Sequence, residues 1–185
     1  MHRLFVALRP PLAIRALLGT VMNGVAPARW QDDDQLHLTL RYIGEVERPV
    51  AEDVAALLGQ VHGAAPCIAL SGTGTFAKDG RADTLWAGVT PHGALAALHH
   101  KVDQAVVRAG LPPDRRAYLP HITLARIARR AGDVAEIARW RADTAALTSD
   151  PFTLDHLTLF ESHLGRSGAS YEPVERWRLV EKSGP

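Results

Sequence analysis

His37-Leu38-Thr39-Leu40 and His121-Ile122-Thr123-Leu124 are two copies of one short pattern, separated by close to half of a 185-residue chain. Both copies have the same surroundings. A segment with apolar residues at helical spacing comes first, then a polar or proline-rich loop, then the motif, and then another segment with helical spacing. A unit that occurs twice in this way predicts two related lobes. Each lobe would supply one His-x-Thr strand to a shared cleft.

The rest of the chain alternates between strand-like and helix-like segments. Apolar runs and alternating patterns predict strands at residues 4–8, 36–43, 67–70, 85–89, 119–125, 152–160 and 171–179. Apolar residues at helical spacing predict helices over residues 11–24, 50–63, 95–110 and, more briefly, 133–140.

The composition is that of an ordinary folded protein, with 46% hydrophobic and 22% charged residues, which excludes a disordered or fibrous chain. A single cysteine excludes an internal disulfide and a cysteine-rich zinc site, and it fits a reducing compartment. No apolar run approaches the roughly 20 residues that span a bilayer. A net charge of +1 argues against a protein that coats long nucleic acid, but it allows recognition of a short or terminal piece. We therefore expect a cytoplasmic protein that does not enter the membrane.

The two motifs bring together groups that suit chemistry at phosphorus. Residues i and i+2 of a strand share a face, so His37 lies beside Thr39 and His121 beside Thr123, while the intervening apolar residues pack into the core. A neutral imidazole can take a proton from the attacking hydroxyl or water, and an opposite imidazolium can give one to the leaving oxygen. Threonine hydroxyls can bind the phosphate oxygens, with charge added by an arginine. No metal is needed for this reaction.

Other patterns in the chain are given less weight. His156-Leu157-Thr158-Leu159 matches the motif but has no helix after it and is typical of a hairpin arm, so we assign His156 no catalytic role. Gly72-Thr73-Gly74-Thr75 lacks the lysine of a phosphate-binding loop and is predicted to be a turn. The remaining residues of possible interest are interpreted as satisfied core residues or ordinary charged surface: His2, His62, His92, His99, His100, His163, Arg115-Arg116 and Arg129-Arg130.

The paired blocks resemble the signature motifs of the 2H phosphoesterase superfamily, and most of all the RNA 2',3'-cyclic phosphodiesterases, also called 2'-5' RNA ligases. The resemblance lies in Arg29-Trp30 with residues 37–45 (HLTLRYIGE) and in residues 120–126 (PHITLAR). It extends to residues 3–8, 157–162, 171–173 and 177–179, and so to nearly the whole chain.

This resemblance implies an α+β fold of two lobes related by a pseudo-two-fold axis, with two antiparallel sheets flanked by helices and a central cleft, as one domain over residues 1–185. It implies hydrolysis of RNA 2',3'-cyclic phosphate ends to 2'-phosphomonoesters without a metal or other cofactor, with reversible ATP-independent 2'-5' ligation in some members. His37 would be the proton donor to the leaving 3'-oxygen and His121 the base that activates water. Thr39, Thr123 and Arg126 would hold the phosphate.

The two candidate arginines are not equivalent. Strict alternation places Arg41 on the His37 face, where a phosphate contact and a solvated role are both open. Alternation aims Arg126 away from the His121 face, so its role requires the strand to end or curl near Ala125.

Several alternative functions stay open from the residues alone. The enzyme could act on 2'-5' oligonucleotides or on another small cyclic phosphate. The histidines could bind a metal in a metallohydrolase, although threonine then occupies the i+2 position where a second ligand would be useful. The protein could also bind RNA ends without turnover, although arginine or lysine would serve binding equally well. We expect RNA with a 2',3'-cyclic phosphate end as the partner, no obligate protein partner, and a monomer.

Overall fold

The computed structural model describes residues 1–78, 80–128, 134–165 and 168–180, and these contain nine strands and four helices. The strands are β1 (His2–Leu8), β2 (Ala28–Trp30), β3 (Leu38–Val46), β4 (Cys67–Lys78), β5 (Arg81–Thr90), β6 (His121–Ile127), β7 (Phe152–Thr153), β8 (His156–Gly165) and β9 (Gly168–Arg178). The helices are α1 (Leu12–Gly19), α2 (Arg48–Leu58), α3 (Gly93–Arg108) and α4 (Val134–Thr144), and Asp33–Gln35 forms a short 3-10 helix.

The strands form an antiparallel sheet in the order β7-β4-β5-β6-β3-β1-β8-β9, with β2 pairing with the far end of β6. Two four-stranded halves, β7-β4-β5-β6 and β3-β1-β8-β9, meet where Leu38 of β3 pairs with Ile122 of β6. The α+β class with antiparallel sheets is therefore confirmed. The two sheets that were expected are joined into one through their central strands.

Each half is built on the same strand–helix–strand unit. In one half α1 connects β1 to β3, and these two strands pair antiparallel. In the other half α3 connects β5 to β6, which pair in the same way. The motif strands β3 and β6 end the two units and lie side by side at the centre of the sheet. This mirrored order is the arrangement that the duplicated motif predicts.

The main hydrophobic core lies between the helices and one face of the sheet. Leu38 and Leu40 of β3 and Ile122 and Leu124 of β6 are at most 2% exposed and pack in this core. Buried residues from all four helices join the same core: Ile14, Leu18, Val54, Leu58, Leu95, Leu98, Val102, Ala105 and Trp140. The opposite face of β1 and β8 carries a smaller cluster made of Phe5, Ala7 and Phe160. The apolar residues of each motif thus fix the strand, and the motif histidines point to the helix-free face.

Some predicted boundaries differ from the structure. Residues 72–75, which were predicted to be a turn, lie inside β4. The two glycines have structural roles there. Gly72 has a φ of +69° at a bulge, and Gly74 lies under the Trp86 ring, with which a Cβ at this position would collide. The predicted strand 152–160 is divided into β7 and the longer β8. Helix α1 ends at Gly19, and α4 runs to Thr144, with residue 133 outside the described residues. In the part of the chain that is described, no helix is long and apolar enough to cross a membrane.

Candidate active site

The register of the two central strands brings the motifs together. Leu38 pairs with Ile122, so in an antiparallel ladder His37 lies across from Thr123, and Thr39 lies across from His121. All four side chains are half-buried and line one cleft of about 580 Å³. The two histidines are diagonal neighbours, a relationship that corresponds to roughly 7–8 Å between strand positions. That spacing leaves room for a phosphate between the rings.

Each histidine is held in the same way by the chain just before it. The Nδ1 of His37 lies 2.6 Å from the carbonyl oxygen of Gln35, and the Nδ1 of His121 lies 2.8 Å from that of Leu119. A carbonyl can only accept, so Nδ1 carries the proton in both rings. In the neutral form the lone pair is then on Nε2, the nitrogen available for proton transfer.

Aromatic rings enclose both imidazoles. Phe5 lies 4.9 Å from the His37 ring, and the Tyr171 ring meets it edge-on at 5.2 Å. In the other half Phe76 meets the His121 ring edge-on at 4.8 Å, and Trp86 lies at 6.2 Å. None of these four rings was predicted from the sequence to lie beside a motif histidine. The pairing of Trp86 with Thr123 puts its ring on the cleft face, a relationship that requires the strand order.

A bulge at the same place in each motif strand changes which later residues face the cleft. Leu40 and Leu124, each three residues after a motif histidine, are skipped in the pairing of β3 with β1 and of β6 with β5. One extra residue reverses the alternation beyond it. Tyr42 and Arg126, each five residues after the histidine, therefore return to the cleft face, and both line the cavity.

Arg126 supplies a positive charge to this face. Its Nη1 donates a hydrogen bond to the Oγ1 of Thr84, a buried residue of β5, at 2.8 Å. The guanidinium itself is exposed to the cleft. The curl that the sequence argument required near Ala125 is present, because the bulge lies at Leu124. At the matching position in the other half, the Tyr42 hydroxyl accepts a hydrogen bond from the Nε of Arg3 at 2.7 Å.

Arg41 does not share the His37 face, and the prediction from alternation is wrong. The bulge at Leu40 turns Arg41 toward the helices, where it is 8% exposed. It pairs with Asp103 of α3 at 2.8 Å and with Asp114 at 3.7 Å, and it donates to the carbonyl of Pro112 at 2.6 Å. Neither of the alternatives weighed for Arg41, a phosphate contact or a solvated side chain, fits this position. Its contacts tie β3 to α3 and to the loop before β6.

Both catalytic candidates have lowered pKa values. Burial lowers the pKa of His37 to about 4, against a smaller raising effect of the Gln35 carbonyl, and the charges of His121 and Arg126 lower it further. Burial also lowers the pKa of His121, and Arg126 adds to that effect. None of these causes is a carboxylate, and Asp114, which lines the cleft, is paired with Arg116 and Arg41 rather than with either imidazole. A bound anion would supply a negative charge and favour the protonated rings.

The other sequence candidates are less directly involved. His99 stacks on Tyr118 at 4.2 Å, and its Nδ1 donates to the carbonyl of Leu40, so it is a satisfied residue as expected. Arg116 lines the cleft but is bound to Asp114 at 3.0 Å. Residues 129 and 130 lie outside the described residues. Among the residues that are described, no group of three or more His, Cys, Asp or Glu side chains has the arrangement of a metal site.

Comparisons with known proteins agree with this architecture. The family model of the 2'-5' RNA ligase superfamily matches residues 26–166. An RNA 2',3'-cyclic phosphodiesterase of Aeropyrum pernix is 30% identical over 161 residues, which cover 85% of this chain and 90% of that protein. An RNA 2',3'-cyclic phosphodiesterase of Geobacillus stearothermophilus is 33% identical over 182 residues, covering 91% of this chain and 53% of that protein. The crystal structure of a Thermus thermophilus protein is 26% identical, with a TM-score of 0.75 over 97% of this chain and 99% of the other.

Proposed function

Because the chain belongs to the 2'-5' RNA ligase superfamily, we propose that it hydrolyses RNA 2',3'-cyclic phosphate ends to 2'-phosphomonoesters by acid–base catalysis between His37 and His121. The observation that carries the proposal is the matched pair of imidazoles, each with Nδ1 bound to a carbonyl and Nε2 available. The relatives from Aeropyrum pernix and Geobacillus stearothermophilus are RNA 2',3'-cyclic phosphodiesterases, which supports this substrate.

In the proposed reaction the cyclic phosphate lies between the two rings. Water attacks phosphorus and gives its proton to Nε2 of His121, and the phosphorus–O3' bond breaks. The departing 3'-oxygen takes the proton of Nε2 of His37, which leaves a 2'-phosphomonoester and a 3'-hydroxyl. The donor role of His37 rests on the family resemblance, because the lowered pKa by itself keeps this ring neutral in the free cleft. The negative charge of the bound phosphate would favour the imidazolium that donates.

The other cleft residues are proposed to hold the phosphate while charge builds on its oxygens. The hydroxyls of Thr39 and Thr123 each lie across from a catalytic ring and would donate to the non-bridging oxygens. Arg126 would add a charge-assisted hydrogen bond. The same geometry would accept an RNA 5'-hydroxyl in place of water, and the reaction would then form a 2'-5' linkage without ATP. We also expect the enzyme to be a cytoplasmic monomer that needs no protein partner.

Phosphorus NMR of a 2',3'-cyclic nucleotide incubated with the protein and a chelator tests the proposal. We expect the cyclic-phosphate signal to be replaced by that of a 2'-monophosphate. A 3'-monophosphate product would contradict the assigned leaving group. Turnover only after a divalent ion is restored would indicate a metallohydrolase, and binding without turnover would indicate a module that recognises RNA ends.

A further inference from the structure

A second cavity, of about 930 Å³, adjoins the catalytic cleft on the β8–β9 side, and Tyr171 lines both. We call it the arginine groove, because its lining includes four arginines: Arg9, Arg15, Arg176 and Arg178. The third motif copy, which the catalytic assignment leaves without a role, also lies here: His156 and Thr158 line the groove.

The arginine groove and the catalytic cleft lie on one face of the sheet. Reading across the strands, Thr39 pairs with Ala7, Ala7 with Thr158, and Thr158 with Arg176. Residues paired across an antiparallel sheet share a face. At roughly 4.8 Å per strand, the row places Thr158 about 10 Å and Arg176 about 14 Å from Thr39. His156 pairs with Arg178 in the neighbouring row.

The charges of the groove divide into compensated and uncompensated groups. Arg9 and Arg15 both bind Asp33, at 3.3 and 2.8 Å, and His156 binds Asp155 at 2.7 Å. Arg176 and Arg178 are exposed, and within the described residues neither has a carboxylate within ion-pair distance. The groove therefore offers two guanidinium groups that are free of an ion pair beside the cleft, and the charge of Arg176 reaches Asp155, whose pKa it helps to lower. Two carboxylates line the groove: Asp155, which binds His156, and Asp34.

We propose that the arginine groove binds the phosphodiester backbone of the RNA on the 5' side of the cyclic end, with Arg176 and Arg178 as the phosphate contacts. The inference rests on the proposed function, because it takes the cyclic phosphate to lie at Thr39 and Thr123. From there an RNA strand that leaves the cleft passes Tyr171, and the ring of this residue can stack on a base. Arg176, about 14 Å from Thr39 in this row, and Arg178, two residues further along β9, fit a single strand that continues from the cyclic end. The substrate is therefore an oligonucleotide, with the terminal nucleotide alone as a poor substitute.

The test compares two substrates and two double variants. Arg176→Gln with Arg178→Gln removes both free charges, and Arg139→Gln with Arg141→Gln removes two exposed charges from α4, which lines neither cavity. For a hexanucleotide with a 2',3'-cyclic end, kcat/KM should fall about tenfold in the groove variant. For 2',3'-cyclic AMP it should not change, and the α4 variant should resemble the parent protein with both substrates.

Binding of a fluorescein-labelled hexanucleotide with a 2'-phosphate end provides a readout that does not depend on turnover. Two lost phosphate contacts to a single strand should reduce the slope of log affinity against log salt by about 1.4. An unchanged slope together with unchanged kcat/KM for the hexanucleotide would overturn the proposal and leave the arginines as charges that keep an edge strand from pairing with other chains. Failure of the proposed function would look different, because neither substrate would then be turned over by any of the proteins, while the binding arm would still decide the role of the groove.

Discussion

The guanidinium of Arg126 is anchored to Thr84 by a hydrogen bond of 2.8 Å from Nη1 to Oγ1. The threonine is 1% exposed and sits on the neighbouring strand, directly across from Arg126. This contact holds a cation on the cleft face while its other nitrogens stay open to a ligand. Its charge reaches both imidazoles, since it lowers the pKa of His37 and of His121.

Replacing Arg126 by glutamine removes that cation. We expect kcat/KM for a cyclic-ended RNA to fall about 100-fold, because a charge-assisted hydrogen bond to the reacting phosphate is lost. The pKa of both histidines should rise, because one cause of their lowering is gone. Steady-state kinetics and NMR titration of the histidine rings measure the two effects. Unchanged ring titration would place Arg126 outside the cleft.

Thr84 is a positioning residue in this account. Thr84→Val keeps the shape of the side chain but cannot accept a hydrogen bond from Arg126, so KM should rise several-fold. The two histidines should still take up protons in the same order as in the parent protein. Thr84→Ser retains the oxygen and should restore the parent KM. Loss of activity in both variants would instead indicate a packing role for the methyl group.

The pH dependence should differ between the free and the substrate-bound enzyme. Activity needs one neutral and one protonated imidazole, and both rings have a pKa below 6.5 in the free cleft. The maximum of kcat/KM, which reports the free enzyme, should therefore lie below pH 6.5. Bound phosphate raises both values, so the maximum of kcat should lie at higher pH. Coincident maxima would show that the substrate does not approach the rings.

The lowered pKa of His37 also makes folding sensitive to acid. Its pKa is about 4 in the folded protein against 6.5 in its ordinary state, so the unfolded chain binds the proton first as the pH falls. The stability present above pH 6.5 should be lost between pH 6.5 and about 4, by an amount on the order of 3 kcal/mol. Denaturant unfolding of the parent and of His37→Gln measures this, since the variant should lose less. Parallel pH profiles of the two proteins would contradict the lowered pKa.

Arg41 should matter for stability and not for chemistry. Arg41→Met leaves Asp103 and Asp114 without their shared partner, and losing one side of a buried ion pair costs about 3–5 kcal/mol. Below its unfolding temperature the variant should keep the parent kcat. Arg48→Met, which breaks the exposed pair with Glu52, is the matched control and should lower the stability far less, because solvent screens an exposed pair. A lower kcat with an unchanged unfolding temperature would return Arg41 to the active site.

The sequence was sufficient for the placement of the motif strands, because His37 and His121 each stand beside apolar residues that can face only a core. It was not sufficient beyond the bulges, where alternation no longer holds. A comparison of the two motif copies carries a signal that alternation misses: the position four residues after each histidine is Arg41 in one copy and Ala125 in the other. A small apolar residue there indicates a core-facing position in both halves.

The aromatic neighbours of the histidines could not be derived from local patterns. Phe5 and Tyr171 reach His37 from β1 and β9, and Phe76 and Trp86 reach His121 from β4 and β5. Those contacts depend on strand order, which no local period encodes. The same is true of Thr158 and Arg176, which are paired across β8 and β9.

The rate at which a cyclic-ended RNA is opened by His37→Ala, by His121→Ala and by the double variant tests the central claim most directly. If the two rings act on one phosphorus atom, each single variant should lose about 100- to 10,000-fold in kcat. The double variant should then lose little more, because the rings work as a unit. Near-parental turnover in either single variant, with its fold intact by circular dichroism, would contradict the account.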